Sequence, residues 1–206
     1  MNEVNFPSWD DEQDKVITEI YMVKQQIQAV TKKIQTKDID CREFHIFFNN
    51  VCTTLNYWTG HTYIGQEKSD FIKKAFQEFF ETLYDFLLIC QTHDYIELRE
   101  LANKVLYRGA LHRYLGHGFI DEDISKHIEP QYNDIYVSWS KNNHNSYIES
   151  KLYGATTLLT CRVDEPYFGI DLEVFEANRG NEEEVVFPTI KETIIDIKYS
   201  EEYENE

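Results

Sequence analysis

The chain has 206 residues and a formal net charge of −17, from 20 Lys and Arg against 37 Asp and Glu. Phosphate and anionic-lipid surfaces bind clustered basic residues, so this balance argues against nucleic-acid and membrane partners and favours a basic protein partner. Hydrophobic residues make up 42% of the chain, which is enough for a real core. The cysteines form no C-x-x-C pair, and the first residues lack the basic and apolar regions of a secretion signal. We therefore expect a cytoplasmic protein.

The first part of the chain predicts helices. From about Asp10, six aliphatic residues recur at alternating spacings of four and three, the pattern of a helix face packed on a neighbouring helix. These residues are Val16, Ile20, Val23, Ile27, Val30 and Ile34. A Phe-rich second helix is expected to end near Gly60, and a third to begin near Ser69. We interpret residues 1–103 as a helical N-terminal region in which the aromatic stripes form the core.

The pattern changes after residue 103. Short β-prone runs alternate with turns rich in Gly and Pro, and one short helix is expected around 122–127. The runs cover residues 104–109, 134–140, 156–163, 168–175, 185–187 and 193–199. Residues 200–206 form an acidic tail. The predicted fold class is therefore α+β, with a helical bundle followed by a mixed, β-rich core over residues 104–199.

Close to the C-terminus, three acidic residues lead directly into an apolar run that ends at Pro188. In an extended chain Glu182 and Glu184 would point to the same side, about 7 Å apart. Two carboxylates held side by side can act in acid/base chemistry or stabilise a developing cation. The alternative is a solvated acidic turn before an edge strand.

Two further polar features lie at the ends of predicted strands. Arg108 closes the first β-prone run, and Ser138 and Ser140 flank Trp139 in the second. Taken separately, such an arginine is most often a surface cation, and such serines most often make hydrogen bonds at a strand edge. The histidines are scattered, and the spacing of His112 and His117 does not fit a helical metal pair, so no metal site is predicted.

Together these features resemble the arginine-serine-glutamate class of ADP-ribosyltransferases, found in toxins, vertebrate ecto-enzymes and small phage-encoded enzymes. That family has an aromatic residue and Arg-Gly on its first strand, matched by Tyr107-Arg108-Gly109, and Ser-x-Ser on its second, matched by Ser138-Trp139-Ser140. Its third motif, Glu-x-Glu followed by hydrophobic residues and Pro, is matched by residues 182–188. The resemblance covers roughly residues 100–199 and implies a two-sheet core.

The resemblance implies transfer of ADP-ribose from NAD to a protein side chain, with arginine as the implied acceptor and no metal. Glu184 would stabilise the cation that develops on the ribose. Glu182 would orient or deprotonate the incoming guanidinium. Ser138 would hold the nicotinamide end and orient Glu184. The size of the chain looks most like that of the small phage enzymes that modify host proteins, which would place it in the host cytoplasm.

The NAD site implied by the resemblance is formed by residues of the same motifs. Arg108 would hold the phosphates, a role suited to a planar, permanently charged donor. The other residues expected to bind NAD are Gly109, Ser138, Ser140 and one of two aromatic residues, Tyr147 or Phe168, either of which could instead pack in the core. The loop at residues 177–181 would recognise the acceptor, or would be a plain turn.

Other interpretations stay open. The family often has a small residue where Trp139 stands, so this side chain would either narrow the NAD pocket or pack on the outer face. The competing class is a non-enzymatic acidic inhibitor or nucleic-acid mimic, possibly on a degenerate transferase fold, and a third is a structural helical module with a β-rich appendage. Arg108, Ser138 and Glu184 should line one cleft in an enzyme and lie apart in a mimic.

Overall fold

A computed structural model of the chain contains four α-helices and seven β-strands among the residues it describes, which confirms the predicted α+β class. The chain divides into two compact units, Met1–Ile89 and Cys90–Glu206, whereas the sequence analysis places the division between residues 103 and 104. No helix in the described segments is both long and apolar enough to cross a membrane. The structure describes residues 9–36, 41–59, 70–115, 136–142, 157–175, 183–188 and 194–199.

The first unit is built from long helices that bury one face each. Helix α1 spans Trp9–Gln35, α2 spans Cys41–Thr59 and α3 begins at Asp70 and ends at Gln91. All six aliphatic residues predicted to form the buried face of the first helix are at most 8% exposed, so that prediction is confirmed. Helix α2 ends just before Gly60, as the sequence predicts.

Aromatic residues form much of the core of the helical unit. Phe76, Phe79 and Phe80 are completely buried, and Trp58 packs edge-on against Phe76 and Phe80 at centroid distances of 5.2 and 5.0 Å. Phe71, expected on the same apolar face, is 75% exposed and is therefore not part of that core. The interpretation of the aromatic stripes as core otherwise holds for α3.

The second unit contains a fourth helix and all the strands. Helix α4, Ile96–Val105, packs against the first and fifth strands. The predicted run 104–109 ends too early, because the chain continues as a strand beyond Gly109. The strands are β1 Leu106–Tyr107, β2 Gly109–Leu115, β3 Tyr136–Ser140, β4 Thr157–Val163, β5 Gly169–Asp171, β6 Glu184–Pro188 and β7 Ile194–Tyr199.

All seven strands belong to one antiparallel sheet in the order β1-β5-β6-β3-β2-β4-β7. In the sheet, β1 is the edge strand and β2 lies four strands away, between β3 and β4, yet only Arg108 separates them in the chain. The sheet is therefore curled. The predicted two-sheet core is not confirmed, since the described strands are joined in a single sheet.

The two faces of this sheet differ in composition, since the face of Ser138 and Ser140 mixes polar side chains with the buried Val186 and Leu158. One face carries a buried apolar cluster with which Tyr107 packs. Its members are Leu111, Val137, Trp139, Leu159, Cys161, Val163, Val185 and Phe187. Successive side chains in a strand point to opposite faces, so Ser138 and Ser140 lie on the other face of β3. The apolar alternation thus fixes which residues are available for a polar site.

Candidate functional site

The centre of the candidate site is a contact between Ser138 on β3 and Glu184 at the start of β6. The Ser138 hydroxyl donates a short hydrogen bond to Oε1 of Glu184. Glu184 is only 5% exposed, whereas Ser138 is exposed. Hydrogen bonding holds a buried carboxylate in one orientation. The two residues are 46 positions apart in sequence, and the pairing of β3 with β6 brings them together.

Ser140 lies directly opposite Glu184 in the same strand pair. Its hydroxyl donates to the carbonyl of Asn142 at 2.9 Å and accepts from the Asn142 amide at 3.0 Å. These bonds close a tight turn at the end of β3. Ser140 is 8% exposed, so its hydroxyl is a buried polar neighbour of Glu184 rather than a surface group.

The backbone that leads into Glu184 is held from both sides. The amide of Lys141 donates to the Glu183 carbonyl at 3.1 Å, and the amide of Leu172 donates to the Glu184 carbonyl at 3.0 Å. Glu183 has a φ of 48°, a left-handed conformation that is unfavourable for a residue with a side chain. Such strain persists only where neighbouring contacts fix the chain. The position of Glu184 is therefore specified by its surroundings.

Lys141 also joins three segments through its side chain. Its ammonium lies 2.8 Å from Oδ2 of Asp171 and 2.8 Å from Oε2 of Glu173. Burial lowers the pKa of Lys141, but the hydrogen bonds to Asp171 and Glu173 outweigh burial and raise the pKa overall. Asp171 is 8% exposed, so the lysine neutralises a buried carboxylate. This ion pair fastens the end of β3 to β5 and to the short 3-10 helix that follows it.

Arg108 and Phe168, both predicted to bind NAD, lie against each other. The guanidinium carbon is 4.0 Å from the centroid of the Phe168 ring, and Nη1 is 2.7 Å from Oε1 of Glu165. Among the described contacts, Arg108 bonds neither Ser138 nor Glu184. The predicted residues therefore form two groups, one around Glu184 and one around Arg108.

Gly109, the first residue of β2, has a φ of 146°. A Cβ atom at this position would come within 2.6 Å of the Tyr107 hydroxyl, which donates to the Ala110 carbonyl at 2.9 Å. Both the backbone angle and the close hydroxyl favour glycine here. Burial raises the pKa of Tyr107, so this phenol stays protonated and keeps the bond.

Trp139 belongs to the apolar core. It is 3% exposed and lies with Val137 and Val185 in the buried cluster, on the face opposite Ser138 and Ser140. Of the two placements considered from the sequence, packing away from the serines is the one observed. Its indole N–H is buried and has no hydrogen-bond partner within the described segments.

His112, for which the sequence favours a surface or capping role, is a half-buried residue of this sheet face. It lies opposite Ser140 on β2, and its Nδ1 is 3.3 Å from the Thr160 hydroxyl on β4. Burial lowers the pKa of His112, which keeps the imidazole neutral at pH 7. Its proximity to Ser140 depends on strand register, which the sequence does not display.

Several predicted features lie outside the described residues: Glu182, Tyr147, the loop 177–181, the short helix at 122–127 and the tail 200–206. Within the described residues, no group of three or more His, Cys, Asp or Glu side chains is arranged to hold a metal ion. Comparison of the chain with protein-family models, with curated proteins and with solved structures gives no match.

Proposed function

We propose that the protein is an NAD-dependent mono-ADP-ribosyltransferase with Glu184 at its catalytic centre. The observation that carries this proposal is the hydrogen bond between the Ser138 hydroxyl and the buried carboxylate of Glu184. It joins two residues that the family resemblance pairs functionally, although they are far apart in sequence. The in-register position of Ser140 opposite Glu184 adds support.

The chemistry that Glu184 would perform follows from the charge that develops in the reaction. The bond between the ribose C1′ and the nicotinamide nitrogen breaks, and the electron pair leaves with neutral nicotinamide. The sugar becomes cation-like, and a fixed carboxylate stabilises that charge without reorganising. A new bond then forms between C1′ and a guanidinium nitrogen of the acceptor, which releases one proton. Ser138 would keep Glu184 aimed at the ribose.

Arg108 would bind the pyrophosphate of NAD, as a planar cation suits this anion. Its stacking on Phe168 leaves the guanidinium fixed in orientation, which supports this role. Arg108 is 38% exposed and Glu165 is 78% exposed, so solvent screens their ion pair and weakens it. The phosphates of NAD would displace Glu165 at small cost.

The acceptor would be an arginine side chain of a basic protein. A chain with a net charge of −17 attracts a basic protein over distance and repels nucleic acid. If the chain is phage-encoded, as its likeness to the small phage enzymes implies, its target would be a host protein in the host cytoplasm.

The test is incubation of the native chain with labelled NAD and a cell lysate, beside Glu184→Gln and the control Glu100→Gln. Glu100 is an exposed acid on α4, so its variant should label protein as the native chain does. Glu184→Gln removes the charge but keeps the shape, and the rate should fall by about 100- to 1,000-fold. Release of nicotinamide gives a second readout that does not require an acceptor.

The competing proposal is a non-enzymatic acidic protein that occupies the basic groove of a partner. The net charge of −17 and the pairing of Arg108 with Glu165 rather than Glu184 favour it. A native chain that releases no nicotinamide, labels no protein and shows no NAD binding by calorimetry would contradict the transferase. The search would then turn to a basic partner.

A further inference from the structure

A row of polar residues crosses four neighbouring strands on the face that carries Glu184. Glu184 on β6 is opposite Ser140 on β3, which is opposite His112 on β2, which is opposite Thr160 on β4. Directly opposite residues of an antiparallel pair have their side chains on one face. The apolar cluster around Trp139 occupies the other face, and the buried Val186 and Leu158 lie beside the polar row. The four polar side chains therefore share one surface of the sheet.

The spacing of this row is set by the sheet. Neighbouring strands lie about 4.8 Å apart, so His112 and Glu184, two strands apart, have backbones separated by about 10 Å. That separation leaves room for a reacting group between the carboxylate and the imidazole.

The imidazole of His112 offers an acceptor nitrogen that none of the described residues occupies. Its Nδ1 lies 3.3 Å from the Thr160 hydroxyl, and its Nε2 has no partner within the described segments. Burial keeps the ring neutral by lowering its pKa, so one ring nitrogen carries no proton. When Nδ1–H donates to the Thr160 oxygen, Nε2 is that acceptor.

We propose that His112 and Thr160 form part of the acceptor subsite of the transferase, in which His112 Nε2 accepts a hydrogen bond from the guanidinium of the target arginine. A guanidinium offers only donors, and His112 offers it an acceptor on the sheet face that carries the Glu184 carboxylate. His112 is then a specificity-determining residue for the acceptor, and Thr160 positions its ring. The inference rests on the proposed transferase activity and adds to it the place where the acceptor binds.

The test uses NAD and agmatine, a small guanidine, as substrates of the full chain. His112→Phe removes both ring nitrogens, and the KM for agmatine should rise about tenfold, the loss of one hydrogen bond. The KM for NAD should change less than twofold. His112→Gln keeps an acceptor oxygen and should recover part of the loss. His45→Phe, on the exposed side of α2, is the matched control and should match the native chain.

A second variant keeps the test valid if His112→Phe folds poorly. Thr160→Val removes the partner of Nδ1 without touching the imidazole, and the KM for agmatine should rise about threefold. An unchanged KM for agmatine in variants that melt as the native chain does would overturn the acceptor subsite and leave the transferase standing. Equal increases in the KM for agmatine and in the KM for NAD would also overturn it. A native chain that neither cleaves NAD nor modifies agmatine removes the transferase and the subsite together.

Discussion

In the unit Met1–Ile89 the buried residues recur along each helix, whereas in the unit Cys90–Glu206 the important contacts join strands that are far apart in sequence. The six buried aliphatic residues of α1 all lie within one helical stripe. Ser138 and Glu184, by contrast, are 46 positions apart. The helical unit is thus specified by a repeated pattern, and the sheet by a small number of particular residues.

This difference predicts how a single substitution should lower stability in each unit. In the helical unit, many similar apolar contacts contribute to stability. Deleting one buried side chain should therefore lower the free energy of unfolding by an amount that grows with the volume removed. In the sheet, single positions carry unusual backbone angles or neutralise a buried charge, and their cost depends on that special feature. Four changes test this contrast, from the largest expected effect to the smallest.

Phe76→Ala should cost the most. Phe76 is completely buried and contacts Trp58, Phe79 and Phe80, so its removal leaves a cavity worth about 3–5 kcal/mol in the free energy of unfolding. Phe71→Ala, at a position 75% exposed, should change stability by less than about 0.5 kcal/mol. Urea unfolding measures both. Equal losses would show that burial does not govern this unit.

Lys141→Met should destabilise the sheet-containing unit by about 2–4 kcal/mol, because Asp171 would keep a buried charge without its partner. The Lys141 pKa is raised, so this contribution is complete below the ordinary lysine pKa and is lost as pH rises through the higher pKa of the folded state. Above neutral pH, the difference in unfolding free energy between native chain and variant should therefore narrow only at strongly alkaline pH. Unfolding series at several pH values check this, and a gap that narrows near pH 8 would contradict it.

Gly109→Ala should cost about 1–3 kcal/mol, since its φ of 146° is strained for any side chain. The new Cβ would also meet the Tyr107 hydroxyl at 2.6 Å. Tyr107→Phe removes that hydroxyl, so the alanine should cost less in the Tyr107→Phe background. A double-mutant cycle by thermal unfolding separates the two causes. Strict additivity would mean that the clash with the Tyr107 hydroxyl adds nothing to the cost.

Glu183→Gly should have the smallest effect and the opposite sign. Its φ of 48° suits glycine, so the change should stabilise the fold by about 0.5 kcal/mol after the greater flexibility of the unfolded chain is included. Glu183→Ala keeps the strain and serves as the control. A loss of stability in both variants would show that the Glu183 side chain contributes to this turn, and a loss in the glycine variant alone would show that the flexibility of the unfolded chain outweighs the relieved strain.

One contact in the candidate site agrees with the expectation from the sequence, and others do not. The motifs predicted that Ser138 would orient Glu184, and the structure joins them by a hydrogen bond. The stacking of Arg108 on Phe168 was not predicted, since the resemblance implied separate roles for them at the phosphates and at the nicotinamide. The ion pair of Arg108 with Glu165 was not predicted, because it depends on the fold of the turn before β5.

The sequence by itself determined the helical stripes, the fold class and most strand positions, because these follow from local periodicity in the chain. Only the tertiary structure decided that the strands form one curled sheet, that Trp139 packs away from the serines and that His112 lies in register with Ser140 and Glu184. Register shifts by one residue exchange the two faces of a strand. Pairing between distant segments, rather than any local preference, therefore selected the polar face on which the site lies.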